Sequence, residues 1–244
     1  MKRILAEWER HNIILMAFPH KDTDWAAHDD WEAVTAPFVR IAQAAAYYQM
    51  VYMLCRDCDS IKALFCSTAN IIFIEADYND TWTRDYGAIS IEEDGSKKLL
   101  DFVFNGWGEK FESSLDNNIN KFLSSRGFYG GAKLEQADYV LEGGSIESDG
   151  RGTILTTVNC LCHPNRNGIV DKQQVEKILS DRLGAKRILW LQHGYLAGDD
   201  TDGHIDMLAR FVNPETIVYV KCKDKSDEHY EELRLMEAEL QSFR

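Results

Sequence analysis

Three times along the chain an acidic residue and nearby glycines share a short loop that leads into a strand hairpin and then a helix. The first two copies go on to a further strand. The loops carry Asp85, Glu142 and Asp206, which recur at intervals of about sixty residues. A unit of that size with a small mixed sheet cannot bury its faces alone, so neighbouring copies must pack around a shared centre, as in a ring or propeller. A strand and helix beginning at Ile13 read as an earlier copy with a shorter lead-in. The last copy has its hairpin and helix and no closing strand.

The patterning fills in these units. Ile13-Ile14-Leu15-Met16-Ala17-Phe18 is an apolar run halted by Pro19, a buried strand. Trp31, Val34, Phe38, Ile41 and Ala45 fall at helical spacing, with Asp29 or Asp30 as cap, and predict a helix over 30–49. Further helices are predicted at 58–67, 115–125, 170–183 and 227–243. Strands are predicted at 50–54, 71–74, 88–92, 98–104, 137–141, 146–148, 153–157, 187–191, 205–212 and 216–220. No low-complexity linker divides the 244 residues, so the expectation is one α+β domain over 1–244.

Composition narrows the function. A net charge of −13 and a pI near 5.0 disfavour non-specific contact with nucleic acid or anionic membrane, and suit a small cationic substrate. The first ten residues carry charges where a secretion signal needs an apolar stretch. No apolar run is long enough to cross a bilayer. The expected location is cytoplasmic, with the six cysteines mostly reduced thiols. Cys55-x-x-Cys58 is a weak redox or metal signal, without a second such pair, and reads as structural.

The densest chemistry lies at 198–211, G-D-D-T-D-G-H-I-D-M-L-A-R-F. In an extended segment His204 and Asp206 would share a face. Converging loops would bring Asp85, Glu142, His204 and Asp206 together, with Trp82, Trp107 and Arg84 nearby. Two carboxylates can take a planar guanidinium through paired hydrogen bonds. A glutamate beside the histidine would hold its imidazolium form and raise its pKa. Each piece also has a plainer reading. Trp82 and Trp107 could be packing, and Asp85 could pair with Arg84. Asp199, Asp200 and Asp202 could be a solvated or capping loop, and Glu142-Gly143-Gly144 a bulge. A calcium loop fails its register, with Gly198 at the first ligand position.

The sequence resembles the agmatine deiminases, of the guanidine-modifying pentein superfamily that includes bacterial-type peptidylarginine deiminases. The likeness rests on M-A-F-P-H-K-D-T-D-W (16–25), N-D-T-W-T-R-D-Y-G (79–87), F-N-G-W-G-E-K (104–110), L-E-G-G-S-I-E-S-D-G-R-G-T (141–153), N-R-N (165–167) and D-D-T-D-G-H-I-D-M-L-A-R-F (199–211). Phe18 stands where the family usually has Trp, and Ala88 where it usually has Pro. The resemblance implies a five-bladed ββαβ propeller, here incomplete with about four blades. It implies Asp85 and Asp206 as guanidinium-binding carboxylates, Glu142 and His204 as the acid/base pair, and Trp82 in the pocket wall, where Trp107 is also expected.

The reaction so implied is hydrolysis of agmatine to N-carbamoylputrescine and ammonia, a step toward putrescine, with no metal or organic cofactor. The family's nucleophile is a cysteine in a motif G-G-G-x-x-H-C, which none of the six cysteines matches. The expectation is therefore a truncated catalytic domain lacking the nucleophile and inactive alone, with agmatine as small cationic substrate and a homo-oligomer as a possible assembly. Alternatives are a peptidylarginine or arginine deiminase, a metal-dependent hydrolase with His204, Asp206 and Glu142 as ligands, and a non-catalytic guanidino-compound binding module.

Overall fold

A computed structural model describes residues 2–243. Among these residues twelve strands form four small sheets. β2 (Ile13–Ala17), β3 (Met50–Cys55) and β4 (Ile71–Glu75) run parallel in that order. The second sheet has the order β1 (Lys2–Ile4), β5 (Ile89–Glu93), β6 (Ser96–Val103) and β7 (Leu134–Val140), with an antiparallel hairpin β5–β6 and a parallel partner β7. The third repeats that plan: β8 (Ile146–Ser148) and β9 (Thr153–Thr157) are antiparallel, and β10 (Arg187–Leu191) runs parallel to β9. The fourth, β11 (Ala209–Asn213) with β12 (Thr216–Tyr219), has two strands among the described residues.

The recurring order of hairpin, helix and parallel strand matches the repeat in the sequence. A parallel partner needs a crossover, and helices such as Ile119–Ser125 and Lys172–Leu183 supply it. The latter starts at Asp171, whose carboxylate accepts from Gln173 N, and stops at Gly184 with φ 72°. A Cβ on Gly184 would also meet Lys2 O at 2.2 Å, so this glycine lets β1 pass close. The β1 strand, unexpected from a charged N-terminus, pairs with β5 and buries Ile4 in the same core as Ile91, Leu179 and Leu183.

Three segments differ from expectation, and all bear on the site. Residues 205–208 form a single helical turn, Ile205–Leu208, and the strand begins at Ala209, where pairing with Tyr219 begins. Residues without a strand partner have no ladder to extend into, and burial of Ile205 and Leu208 favours the turn. A similar turn, Thr83–Tyr86, sits in the loop that carries Asp85. The third, Gly106–Glu109, bends through left-handed backbone at Gly106, Trp107 and Gly108 (φ 66°, 55° and 84°).

Cys55 and Cys58 are joined by a disulfide, with Cα atoms 5.4 Å apart, so this pair departs from the mostly reduced state expected of the cysteines. The first follows a parallel strand and the second opens the short helix Cys58–Lys62, so the intervening turn brings their side chains together. No helix of the described residues is long and apolar enough to cross a membrane.

Candidate active site

Three chain segments meet over Gly144. A Cβ placed there would lie 2.6 Å from Asp85 Oδ1, 2.6 Å from His204 Nδ1 and 2.8 Å from Asp206 Oδ2. The adjacent Gly143 is also required, since a Cβ would meet Arg84 O at 2.1 Å. Neither glycine has positive φ. They are needed for close approach, and residues 143–145 form a short 3-10 turn rather than the bulge of the plainer reading.

Asp85 is buried, and both of its oxygens have a protein donor. Gly144 N donates to Oδ1 at 3.0 Å, and Trp107 Nε1 donates to Oδ2 at 3.1 Å. His204 Nδ1 lies 3.5 Å from Oδ1. Burial, and then the Asp206 charge, push the Asp85 carboxyl up to about 7. Asp206 is likewise raised by burial, while Arg84 and Arg210 pull it back down. Arg84 does not pair with Asp85. It pairs with Glu7 and lies 3.6 Å from buried Glu147, to which Arg210 Nε also donates at 2.7 Å.

The turn at 205–208 sets the other side. His204 is its N-cap residue, and its N donates to Thr201 Oγ1 at 3.0 Å. Asp199 holds the preceding loop, accepting from Thr201 N at 2.8 Å and Gly203 N at 2.7 Å. Convergence of His204 and Asp206 therefore comes from a helical turn, not from strand alternation. The imidazole is 2% exposed, and its Nε2 has no partner among the described residues. Burial, then the Arg166 and Arg84 charges, lower its pKa to about 3. The expected rise in its pKa beside Glu142 is not found, because burial and the Arg166 and Arg84 charges prevail.

Glu142 is engaged with Arg166, a residue the sequence reading passed over inside N-R-N. Both side chains are fully buried. Arg166 Nε donates to Glu142 Oε1 at 2.8 Å and Oε2 at 3.1 Å, Nη1 donates to Asp202 Oδ2 at 2.8 Å, and Nη2 donates to Thr201 O at 2.8 Å. Lys110 closes the network, donating to Asp202 Oδ1 at 2.7 Å and to Asp200 O at 2.6 Å. Asp202 is thus an internal ion-pair partner rather than a solvated acid. The sequence signal for Arg166 is the N-R-N stretch at 165–167, which shows no periodicity or charge pattern.

The aromatic residues divide. Trp107, expected in the wall, is buried, and its Nε1 donates to Asp85. Trp82 is 42% exposed and stacks on Trp25, centroids 5.8 Å apart, while Trp25 Nε1 donates to Thr81 Oγ1 at 2.8 Å. Among the described residues, the acidic, cysteine and histidine side chains near enough to share a metal are Glu142, Cys160 and His204, with Cys160 in the place expected of Asp206. Chemically, the site offers clustered carboxylates with raised pKa values, a neutral imidazole and an aromatic pair. It suits a planar cation and proton transfer at the imidazole.

The comparisons with known proteins agree with this architecture. The family model of the Porphyromonas-type peptidyl-arginine deiminases matches residues 3–244, and the chain belongs to that family. A Legionella pneumophila protein assigned as an agmatine deiminase is 39% identical over 233 residues, covering 94% of this chain and 65% of that protein. A solved C. jejuni agmatine deiminase variant with substrate bound is 39% identical with TM-score 0.93, covering 99% of this chain and 71% of its own. An Enterococcus faecalis agmatine deiminase is 26% identical with TM-score 0.89, covering 100% and 67%. The chain spans about two thirds of the length of the relatives it matches.

Proposed function

We propose that this chain supplies the guanidinium-binding and proton-transfer residues of an agmatine deiminase, which hydrolyses agmatine to N-carbamoylputrescine and ammonia. The observation that carries the reading is the meeting of Asp85, His204 and Asp206 over Gly144. Asp85 and Asp206 hold the guanidinium of the substrate, fixing its carbon and balancing its charge. A guanidinium bound there also brings the Asp85 carboxyl back below about 7, since an opposite charge favours the ionised form.

In the reaction, a cysteine thiolate attacks the guanidinium carbon, and ammonia leaves from the tetrahedral adduct. The thiouronium ester that remains is opened by water. His204 starts as the neutral base that its depressed pKa dictates. It takes the proton released by the nucleophile, gives it to the departing ammonia, and then takes one from water. Glu142, held by Arg166, keeps a negative charge beside the imidazole while it is protonated. Trp82 and Trp25 form the aromatic side of the entrance. None of the six cysteines of these 244 residues lies in the glycine-rich nucleophile motif. The five-bladed propeller is proposed as the frame, with the four sheets as parts of successive blades. The cytoplasmic location and the place in putrescine synthesis belong to the same reading.

The experiment is calorimetry of the 244-residue chain with agmatine. Binding is expected, with losses of roughly 100-fold for Asp85→Ala and Asp206→Ala, in line with the ~3 kcal/mol scale of a broken charge-assisted contact. Affinity unchanged in both variants would remove the pocket assignment. Tighter binding of a peptidyl-arginine than of agmatine would move the substrate to the peptide class.

A further inference from the structure

Cys160 is a fully buried thiol that the proposed reaction does not use. It sits on the helical turn Val158–Leu161, whose cap, Thr157, donates to Gly203 O at 2.7 Å in the loop leading to His204. One ligand atom each of Glu142, Cys160 and His204 lie within 4.8 Å of one another, and all three residues are buried. A carboxylate, a thiol and an imidazole form a donor set suited to a borderline-soft divalent ion. Around a tetrahedral zinc such atoms stand roughly 3.3–3.5 Å apart, given the usual metal–ligand distances. Closing by an ångström or so on one-turn elements would complete the site.

Glu142 and Asp202 pair with the buried guanidinium of Arg166, and Lys110 binds Asp202 at the rim. The opposing feature is Arg166 itself, which already occupies one position on each Glu142 oxygen. Each carboxylate oxygen retains a second lone pair. A buried nitrogen without a partner, His204 Nε2, is the independent sign of an unmet ligand.

We propose that Glu142, Cys160 and His204 form an inhibitory site for a thiophilic divalent cation of the zinc type. Binding displaces the thiol proton of Cys160 to solvent, and the thiolate becomes a ligand. The metal then holds the imidazole that the reaction needs as a free base, and its double charge excludes the guanidinium cation. The competition rests on the deiminase reading above. The coordination does not.

The test uses the 244-residue chain with Cys55→Ser and Cys58→Ser, because that pair, once reduced, could chelate on its own. Cobalt(II) is titrated as a spectroscopic probe, and agmatine affinity is measured with and without equimolar zinc. A thiolate-to-cobalt charge-transfer band is expected, lost in Cys160→Ser and kept in Cys162→Ser. Zinc is expected to weaken agmatine binding at least tenfold in the parent and less than twofold in Cys160→Ser. Unchanged thermal unfolding of Cys160→Ser shows that the variant is folded, and if it is not, His204→Gln provides the same test of the band. No band in the parent, or a band that persists in the folded variant, overturns the proposal. Failure of agmatine to bind the metal-free chain would defeat the deiminase reading and leave the cobalt band to decide the metal site.

Discussion

Arg166 Nε is shared between the two oxygens of Glu142, at 2.8 and 3.1 Å, with both side chains fully buried. The contact joins the turn that follows the glutamate to the helix Pro164–Asn167. Through Asp202 and Thr201, Arg166 also reaches the loop that carries His204. One guanidinium therefore sets the relative position of two of the three site segments.

Removing that guanidinium leaves a buried, unpaired carboxylate and frees the 199–203 loop. Arg166→Met is expected to lower stability by about 3–5 kcal/mol in denaturant unfolding, the range for breaking one side of a buried pair. Arg166→Lys keeps the charge but cannot reach three acceptors in one plane, so its loss should be intermediate. A cost near zero for the methionine variant would mean that Glu142 is protonated and needs no partner.

Gly144→Ala tests the convergence itself. The new methyl would stand within 2.8 Å of three functional side chains, all on different segments or on a helical turn. The expected outcome is loss of agmatine binding by at least about 100-fold, roughly 3 kcal/mol, with the fold retained by circular dichroism. Full affinity in the alanine variant would show that the three side chains do not need to meet at this point.

Asp85 makes stability and binding depend on pH. Its folded pKa of about 7 lies above its ordinary value of 3.8, so between these pH values the folded chain holds a proton that the unfolded chain has released. Stability from this group therefore falls as pH rises through that window, by up to about 1.4 kcal/mol per pH unit. His204 acts in the opposite sense between pH 3 and 6.5, since its folded form is neutral where the unfolded form is charged. Subtracting the Asp85→Asn curve from the parent curve isolates the aspartate, and the difference should decline from pH 4 to 7 and then level off. Agmatine affinity should rise with pH through about 7, with proton release visible as a dependence of binding heat on buffer ionisation. A flat difference curve would place Asp85 ionised and unstrained.

Much of the layout was legible along the chain because it is written in local terms. Apolar runs bounded by turn residues gave the strands, and helical spacing gave the crossovers. The recurrence of acid and glycine marked which loops face one centre. Asp85, Glu142, His204 and Asp206 could be singled out because clustered acids with a histidine are costly unless they hold or move charge. The backbone that presents them was misread at 205–208, where only the absence of a partner strand distinguishes a helical turn from an extended one.

By itself, then, the sequence determined the repeat, the elements and the residue types around a cation-sized centre. Tertiary structure decided which groups touch. Arg166 and Cys160 are local residues of no evident pattern, brought to Glu142 and His204 only by packing between units. Trp107 donates to Asp85 from a segment with left-handed backbone at 106–108, a contact that no sequence pattern announces. The charge state followed as well. Desolvation depends on what surrounds a group, so the lowered pKa of His204 and the raised one of Asp85 could not be read from their neighbours in sequence.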